Sequence, residues 1–135
     1  MDRTIKIVAG LFAVVIIGTA LLFFSSAQTT PTISGTPGSG NVTVYFFYGQ
    51  ECPHCHAVMP LIKNLTQKYP QVTFRYLETW HHPENQTLAD TMNGQLGVKD
   101  AGVPEVIVGT TVLIGDQDIP AKLEALIQSE LKKKQ

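Results

Sequence analysis

The chain has 135 residues, including only two cysteines, and a formal net charge of −1 at pH 7. This length is enough for one small domain and an appendage. The only run of basic residues is the three lysines at 132–134, so the charge pattern excludes an obvious nucleic-acid-binding surface.

The first 27 residues are predicted to form a signal anchor. Arg3 and Lys6 precede an uncharged, proline-free apolar run over 7–24. As a helix this run would be about 27 Å long, close to the thickness of the hydrocarbon core of a bilayer. Its length favours a retained transmembrane helix, whereas the small residues at 25–27 would suit cleavage and secretion. Positive charge before the run places everything from residue 28 onward on the extracytoplasmic side.

Residues 28–40 are rich in Ser, Thr, Pro and Gly and show no hydrophobic period, which predicts a flexible linker. Such a linker would have a root-mean-square reach of about 20 Å. A single domain is expected over 41–135.

Hydrophobic periodicity within 41–135 predicts alternating strands and helices. Turn residues, glycines and prolines mark their ends. The predicted strands cover 42–48, 72–77, 105–108 and 111–114; the predicted helices cover 53–69, a segment that begins at Pro83, and a last helix opened by Asp118 and Pro120. The order β-α-β-α-β-β-α predicts an α/β domain, with a central mixed four-stranded sheet covered by helices on both faces.

The two cysteines form a Cys-x-x-Cys motif, Cys52-Pro53-His54-Cys55, at the junction of the first strand and helix. A disulfide that closes so small a ring constrains the unfolded chain only slightly. Two thiols at this spacing are better suited to reversible electron transfer, in which one attacks and the other resolves. The strand–turn–helix context therefore favours a redox interpretation of the motif.

Together with the element order, three features resemble the thioredoxin-like superfamily in its minimal form. Cys52 and Cys55 stand at the end of the first strand, Pro60 follows five residues after the second cysteine, and 102–104 read Gly-Val-Pro before the third strand. The resemblance covers 41–135 and implies a cis peptide bond at Pro104, beside which the backbone of Val103 would pair with an extended substrate.

The residues around the motif narrow the resemblance. The dipeptide between the cysteines is typical of DsbA-type oxidases, and the run over 46–55 is similar to small exported thioredoxin-like domains associated with CcdA/DsbD-type membrane electron transporters. Phe46 stands where thioredoxins carry a buried aspartate, and Glu51 stands where they carry a tryptophan.

We expect Cys52 to lie at the helix N-cap, where free backbone N–H groups and the helix dipole favour a thiolate. His54, in the same turn, would stabilise that thiolate further, whereas the Glu51 carboxylate would oppose it. Cys55, one turn inside the helix, would be less exposed and would resolve the mixed disulfide.

Two alternatives use the same residues. Cys52 to His56 also spell the Cys-x-x-Cys-His attachment sequence of c-type haem, for which Met59 or His81 would be a second axial ligand. The cysteines, His56 and the histidines at 81–82 would alternatively bind copper(I) or zinc in a metal carrier. The surrounding sequence predicts a sheet-based core filled by its own side chains, which leaves no room for haem. Helix-opening thiols with a proline between them are the redox arrangement, so we expect neither metal nor cofactor.

Asn41, Asn64 and Asn85 each begin an Asn-x-Ser/Thr sequon and are possible glycosylation sites on an exported domain. The sequence therefore predicts a monomeric, extracytoplasmic thiol–disulfide oxidoreductase tethered by its N-terminal helix. Its partners would be protein thiols and disulfides. The alternative within the same class is the reductive partner of a membrane electron transporter, as in cytochrome c maturation.

Overall fold

The computed structural model describes residues 42–135. The predicted anchor, the linker and the Asn41 sequon lie outside the described residues. The described elements follow the predicted order: β1 (Thr43–Tyr48), α1 (Pro53–Lys68), β2 (Thr73–Glu78), α2 (Pro83–Leu96), β3 (Glu105–Val108), β4 (Thr111–Ile114) and α3 (Gly115–Lys132). No helix within 42–135 is long and apolar enough to cross a membrane.

The four strands form one mixed sheet in the order β2-β1-β3-β4. β1 and β2 are parallel, with Thr43 opposite Thr73, as expected for strands joined by a helix. β3 runs antiparallel to β1, with Phe47 opposite Glu105, and β4 closes the sheet as a hairpin with β3. The carboxyl end of β1, where the Cys-x-x-Cys motif begins, therefore adjoins the start of β3.

Both faces of the sheet are covered, because successive strand residues point to opposite sides. On one face Phe46 and Val106 pack with residues of α1 and α3, among them Ile62 and Leu123, all fully buried. On the other face the buried residues come from three strands and α2: Phe47, Leu77, Ala89, Met92 and Ile107.

The last helix begins three residues before the predicted start. The chain passes directly from β4 into α3 at Gly115, whose backbone φ of +87° favours glycine. The Gly115 N–H is bonded to the carbonyl oxygen of Pro104 at 2.8 Å, so a tertiary contact fixes this start. Pro120, predicted to open the helix, lies inside it, and Asp116 becomes part of its first turn.

Candidate functional site

Cys52 and Cys55 form a disulfide at the beginning of α1. Cys52 is the N-cap residue, with an extended backbone, and Pro53 follows in the first turn. The Cys52 Sγ accepts a hydrogen bond from the backbone N–H of Cys55 at 3.2 Å. The first sulfur therefore lies at the positive end of the helix, where a negative charge is stabilised. Cys55 is 1% exposed and Cys52 is 4% exposed.

His54, predicted to stabilise a thiolate, is paired with a residue that sequence reasoning missed. Its Nδ1 lies 2.7 Å from Oδ2 of Asp116, in the first turn of α3. The hydrogen bond from His54 lowers the pKa of the Asp116 carboxyl. The imidazole is 69% exposed, so it remains accessible at the rim of the site.

On the other side of Cys52, Glu51 is paired with His81. The His81 Nε2 lies 2.8 and 2.9 Å from the two carboxylate oxygens of Glu51. The hydrogen bond and charge of Glu51 raise the pKa of His81. The carboxylate expected to oppose a thiolate at Cys52 thus has an imidazole hydrogen-bonded to it, whose protonated form it favours.

Glu78, at the end of β2, holds the loop that leads to Cys52. Its carboxylate accepts backbone N–H bonds from Gln50 at 3.0 Å, Trp80 at 2.9 Å and His81 at 2.8 Å. Burial raises the pKa of Glu78, but these three donors outweigh burial and leave it below its ordinary value. A carboxylate at the end of a predicted strand is the only sequence signal for this role.

Trp80 packs against the same loop. A Cβ at Gly49 would overlap the Trp80 indole and lie 2.8 Å from its Nε1, so any larger residue at this position would require the indole to move. The indole is 52% exposed and lies near the turn in which the Cys52 N–H bonds to the Gly49 carbonyl oxygen.

The Val103–Pro104 peptide bond is cis, the geometry that the resemblance implied. The carbonyl oxygen of Val103 lies 4.0 Å from the Cys52 Sγ, so this loop and the disulfide are neighbours. The substrate-binding role of Val103 and Pro104 remains a prediction.

Phe46 is fully buried, stacked on Tyr48 at 5.4 Å between ring centroids and in edge contact with Tyr76 at 6.0 Å. The position at which thioredoxins carry a buried aspartate is therefore part of an aromatic cluster. Among the described residues, the buried carboxyls are those of Glu78 and Glu105.

Within 42–135, no group of three or more His, Cys, Asp or Glu side chains is arranged to hold a metal ion. The His56 Nε2, a ligand in both alternative interpretations, lies 2.7 Å from the carbonyl oxygen of Gln50. Of the sequons, Asn64 is exposed on α1, whereas the Asn85 side-chain amide donates to the Glu78 carbonyl oxygen at 2.8 Å.

No protein-family model and no curated protein sequence matches this chain. Solved structures match its fold. Thioredoxin from Trypanosoma brucei brucei aligns with a TM-score of 0.56 and 16% identity, over 70% of this chain and 79% of that protein. The long form of spinach chloroplast thioredoxin f aligns with a TM-score of 0.54 and 26% identity, over 68% of this chain and 73% of that protein. Mitochondrial thioredoxin 3 from Saccharomyces cerevisiae aligns with a TM-score of 0.52 and 23% identity, over 67% of this chain and 80% of that protein.

The chain has a thioredoxin-like fold. In this thioredoxin-like domain the disulfide occupies the helix N-terminus at the end of a central strand, and the cis-proline loop lies beside it. The fold and the Cys-x-x-Cys disulfide together support a thiol–disulfide redox function.

Proposed function

We propose that this protein is an extracytoplasmic thiol–disulfide oxidoreductase that exchanges electrons with protein substrates through Cys52 and Cys55. The observation that carries the proposal is the position of the Cys52 sulfur, which caps α1 by accepting the Cys55 N–H at 3.2 Å. The same hydrogen bond and the helix dipole stabilise a thiolate after the disulfide opens, so Cys52 is the better leaving group and the better attacking group.

In the oxidising direction, a substrate thiolate attacks the Cys52 sulfur and the Cys52–Cys55 bond breaks. Cys55 leaves as a thiolate, and a mixed disulfide joins the substrate to Cys52. A second substrate thiolate then attacks the substrate sulfur of this bond, and Cys52 leaves as a thiolate. Two electrons pass from the substrate dithiol to the cysteine pair, and the two thiol protons pass to solvent or to the cysteine thiolates.

The reducing direction reverses these steps: the Cys52 thiolate attacks a substrate disulfide, and Cys55 resolves the mixed disulfide. The Pro-His dipeptide, typical of DsbA-type oxidases, supports the oxidising direction. The Glu51 charge beside Cys52 and the likeness of 46–55 to domains that accompany CcdA/DsbD-type transporters support the reducing one.

The deciding experiment is equilibration of the full-length protein with a graded series of glutathione redox buffers. A reduction potential near about −120 mV identifies an oxidant, and one near about −270 mV identifies a reductant that a membrane transporter would recharge. Cys52→Ser and Cys55→Ser should each abolish the two-electron transition. A wild-type protein whose thiols never form the Cys52–Cys55 disulfide reversibly would overturn the proposal.

The extracytoplasmic location rests on the apolar run at 7–24 and the positive charge before it. After mild reduction of intact cells, a membrane-impermeant maleimide should label the cysteines of the wild-type chain. Labelling that appears only after the cells are opened would place the domain in the cytosol and contradict this part of the proposal.

A further inference from the structure

A pocket of about 130 Å³ lies beside the cis-proline loop, on the face of the sheet that α2 covers. Trp80 and Val103 form part of its lining. The carbonyl oxygen of Val103 is also 4.0 Å from the Cys52 sulfur, so Val103 adjoins both the disulfide and the pocket.

Each of two buried side chains in the pocket lining has one oxygen atom without a hydrogen-bond partner among the described residues. Glu105 is 2% exposed and Asn93 is 6% exposed. The Asn93 amide nitrogen donates to Glu105 Oε2 at 3.1 Å, but Glu105 Oε1 and Asn93 Oδ1 have no partner among the described residues. Buried polar atoms are nearly always satisfied in folded proteins, so two acceptors without donors, on side chains that bond each other, indicate a site for a donor group.

The pocket is suited to a cation. Its lining includes the carboxyls of Glu105 and Asp90 and no lysine or arginine. Burial raises the pKa of Glu105, and although the Asn93 hydrogen bond opposes this, the negative charge of Asp90 raises it further. A positively charged occupant would offset both the cost of burying the Glu105 carboxylate and its repulsion by Asp90. The indole of Trp80 adds an aromatic surface of the kind that attracts ammonium and guanidinium groups.

We propose that this pocket is a specificity subsite that takes the lysine or arginine side chain of a polypeptide whose cysteine reacts at Cys52. The inference rests on the proposed function and deepens it, since it assigns the substrate a positive charge close to the reacting sulfur. A strand paired along the cis-proline loop presents alternate side chains to opposite sides, so one of them can enter the pocket while the cysteine faces the disulfide.

The test is a titration of the full-length, oxidised protein with a cysteine-free five-residue peptide that contains one lysine. Trp80 is the only tryptophan in the chain and lines the pocket, so its fluorescence reports occupancy directly. We expect saturable binding about tenfold tighter than that of a matched peptide with norleucine in place of lysine, as one charge-assisted hydrogen bond would give.

Glu105→Gln keeps the size of the side chain and an acceptor for Asn93 but removes the carboxylate. It should weaken binding of the lysine peptide about tenfold and leave binding of the norleucine peptide unchanged. Asp90→Asn, at an exposed position where Asp90 accepts a bond from Gln86 at 2.8 Å, should weaken lysine binding to a smaller extent. The matched control is Asp118→Asn, which removes an exposed carboxylate outside the pocket lining and should have no effect.

Equal affinities for the two peptides, or a lysine preference that Glu105→Gln leaves intact, would overturn the subsite. Because the probe peptide has no cysteine, this result does not depend on thiol exchange. Reaction of the reduced protein with oxidised glutathione tests the cysteine chemistry separately, so a failure of the subsite and a failure of the proposed function are distinguishable.

Discussion

The Nδ1 atom of His54 and the Oδ2 atom of Asp116 lie 2.7 Å apart, although the two residues are 62 positions apart in the sequence. This contact joins the first turn of α1, which carries the disulfide, to the first turn of α3. The hydrogen bond to the carboxylate restricts the orientation of the imidazole. We infer that the influence of His54 on Cys52 depends on Asp116.

His54→Ala should raise the pH midpoint for alkylation of Cys52 in the reduced protein by about one unit, because the group that we expect to stabilise the thiolate is lost. The same substitution should have a smaller effect in an Asp116→Ala background, in which the carboxylate no longer holds the imidazole. Asp118→Ala, in the same helical turn, serves as the control background. Equal effects of His54→Ala in the Asp116→Ala and Asp118→Ala backgrounds would refute the coupling.

The Glu51–His81 pair predicts that substitutions of its two members shift the pH midpoint for alkylation of Cys52 in opposite directions. Glu51→Gln should lower the alkylation midpoint of Cys52, because it removes a negative charge beside the thiolate, and His81→Gln should raise it, because it leaves that charge uncompensated. Each shift should be about half a unit, since both side chains are more than half exposed and solvent screens them. Both shifts should become smaller in about 1 M salt, because dissolved ions screen interactions between exposed charges. Shifts in the same direction would contradict the assigned roles.

The contact between Gly49 and Trp80 predicts different outcomes for two glycine substitutions. Gly49→Ala should displace the indole, change the fluorescence of Trp80 and destabilise the domain, because the new Cβ would overlap the ring. In α2, a Cβ at Gly94 meets no atom within 4 Å, so Gly94→Ala should stabilise the domain by about 0.5–1 kcal/mol. Urea unfolding followed by tryptophan emission measures both. Unchanged emission and stability in Gly49→Ala would show that the loop does not need this contact.

The lowered pKa of Glu78 predicts that the domain loses stability in acid. Its pKa is lowered in the folded domain, so its contribution to stability is complete above the ordinary carboxyl value of 4.5 and is lost as pH falls through the folded-state pKa. In urea unfolding between about pH 6 and about pH 2.5, the difference in stability between wild type and Glu78→Gln should therefore shrink as pH falls.

Glu105→Gln is the control for this experiment, because its effect on stability should depend on pH in the opposite direction. Because burial raises the pKa of Glu105, the wild-type residue destabilises the domain as pH rises through that pKa, and the variant should become the more stable protein there. A difference between wild type and Glu78→Gln that does not change with pH would argue against the lowered pKa of Glu78.

The order of elements and the mixed sheet could be predicted because each strand and helix has a clear hydrophobic period and flanking turn residues. The cysteine pair could be assigned to a helix N-terminus for the same reason. The start of the last helix was predicted wrongly, because the backbone bond from Gly115 to Pro104 that fixes it is a tertiary contact.

The groups around the disulfide could not be predicted from local sequence. Asp116 reaches His54 only because α3 packs beside α1, and Asn93 reaches Glu105 only because α2 covers one face of the sheet. His81 was considered as a ligand of haem or metal, whereas the structure pairs it with Glu51. Such partners depend on strand register and helix orientation, which hydrophobic periodicity does not encode.

The most direct test of the central claim is the pH dependence of alkylation at each cysteine of the reduced full-length protein, resolved by mass spectrometry. The account predicts that Cys52 reacts before Cys55 and with a midpoint well below the value of about 8.5 that is usual for a free cysteine. A midpoint for Cys52 at or above about 8.5, or faster reaction of Cys55, would contradict the assignment of Cys52 as the nucleophile.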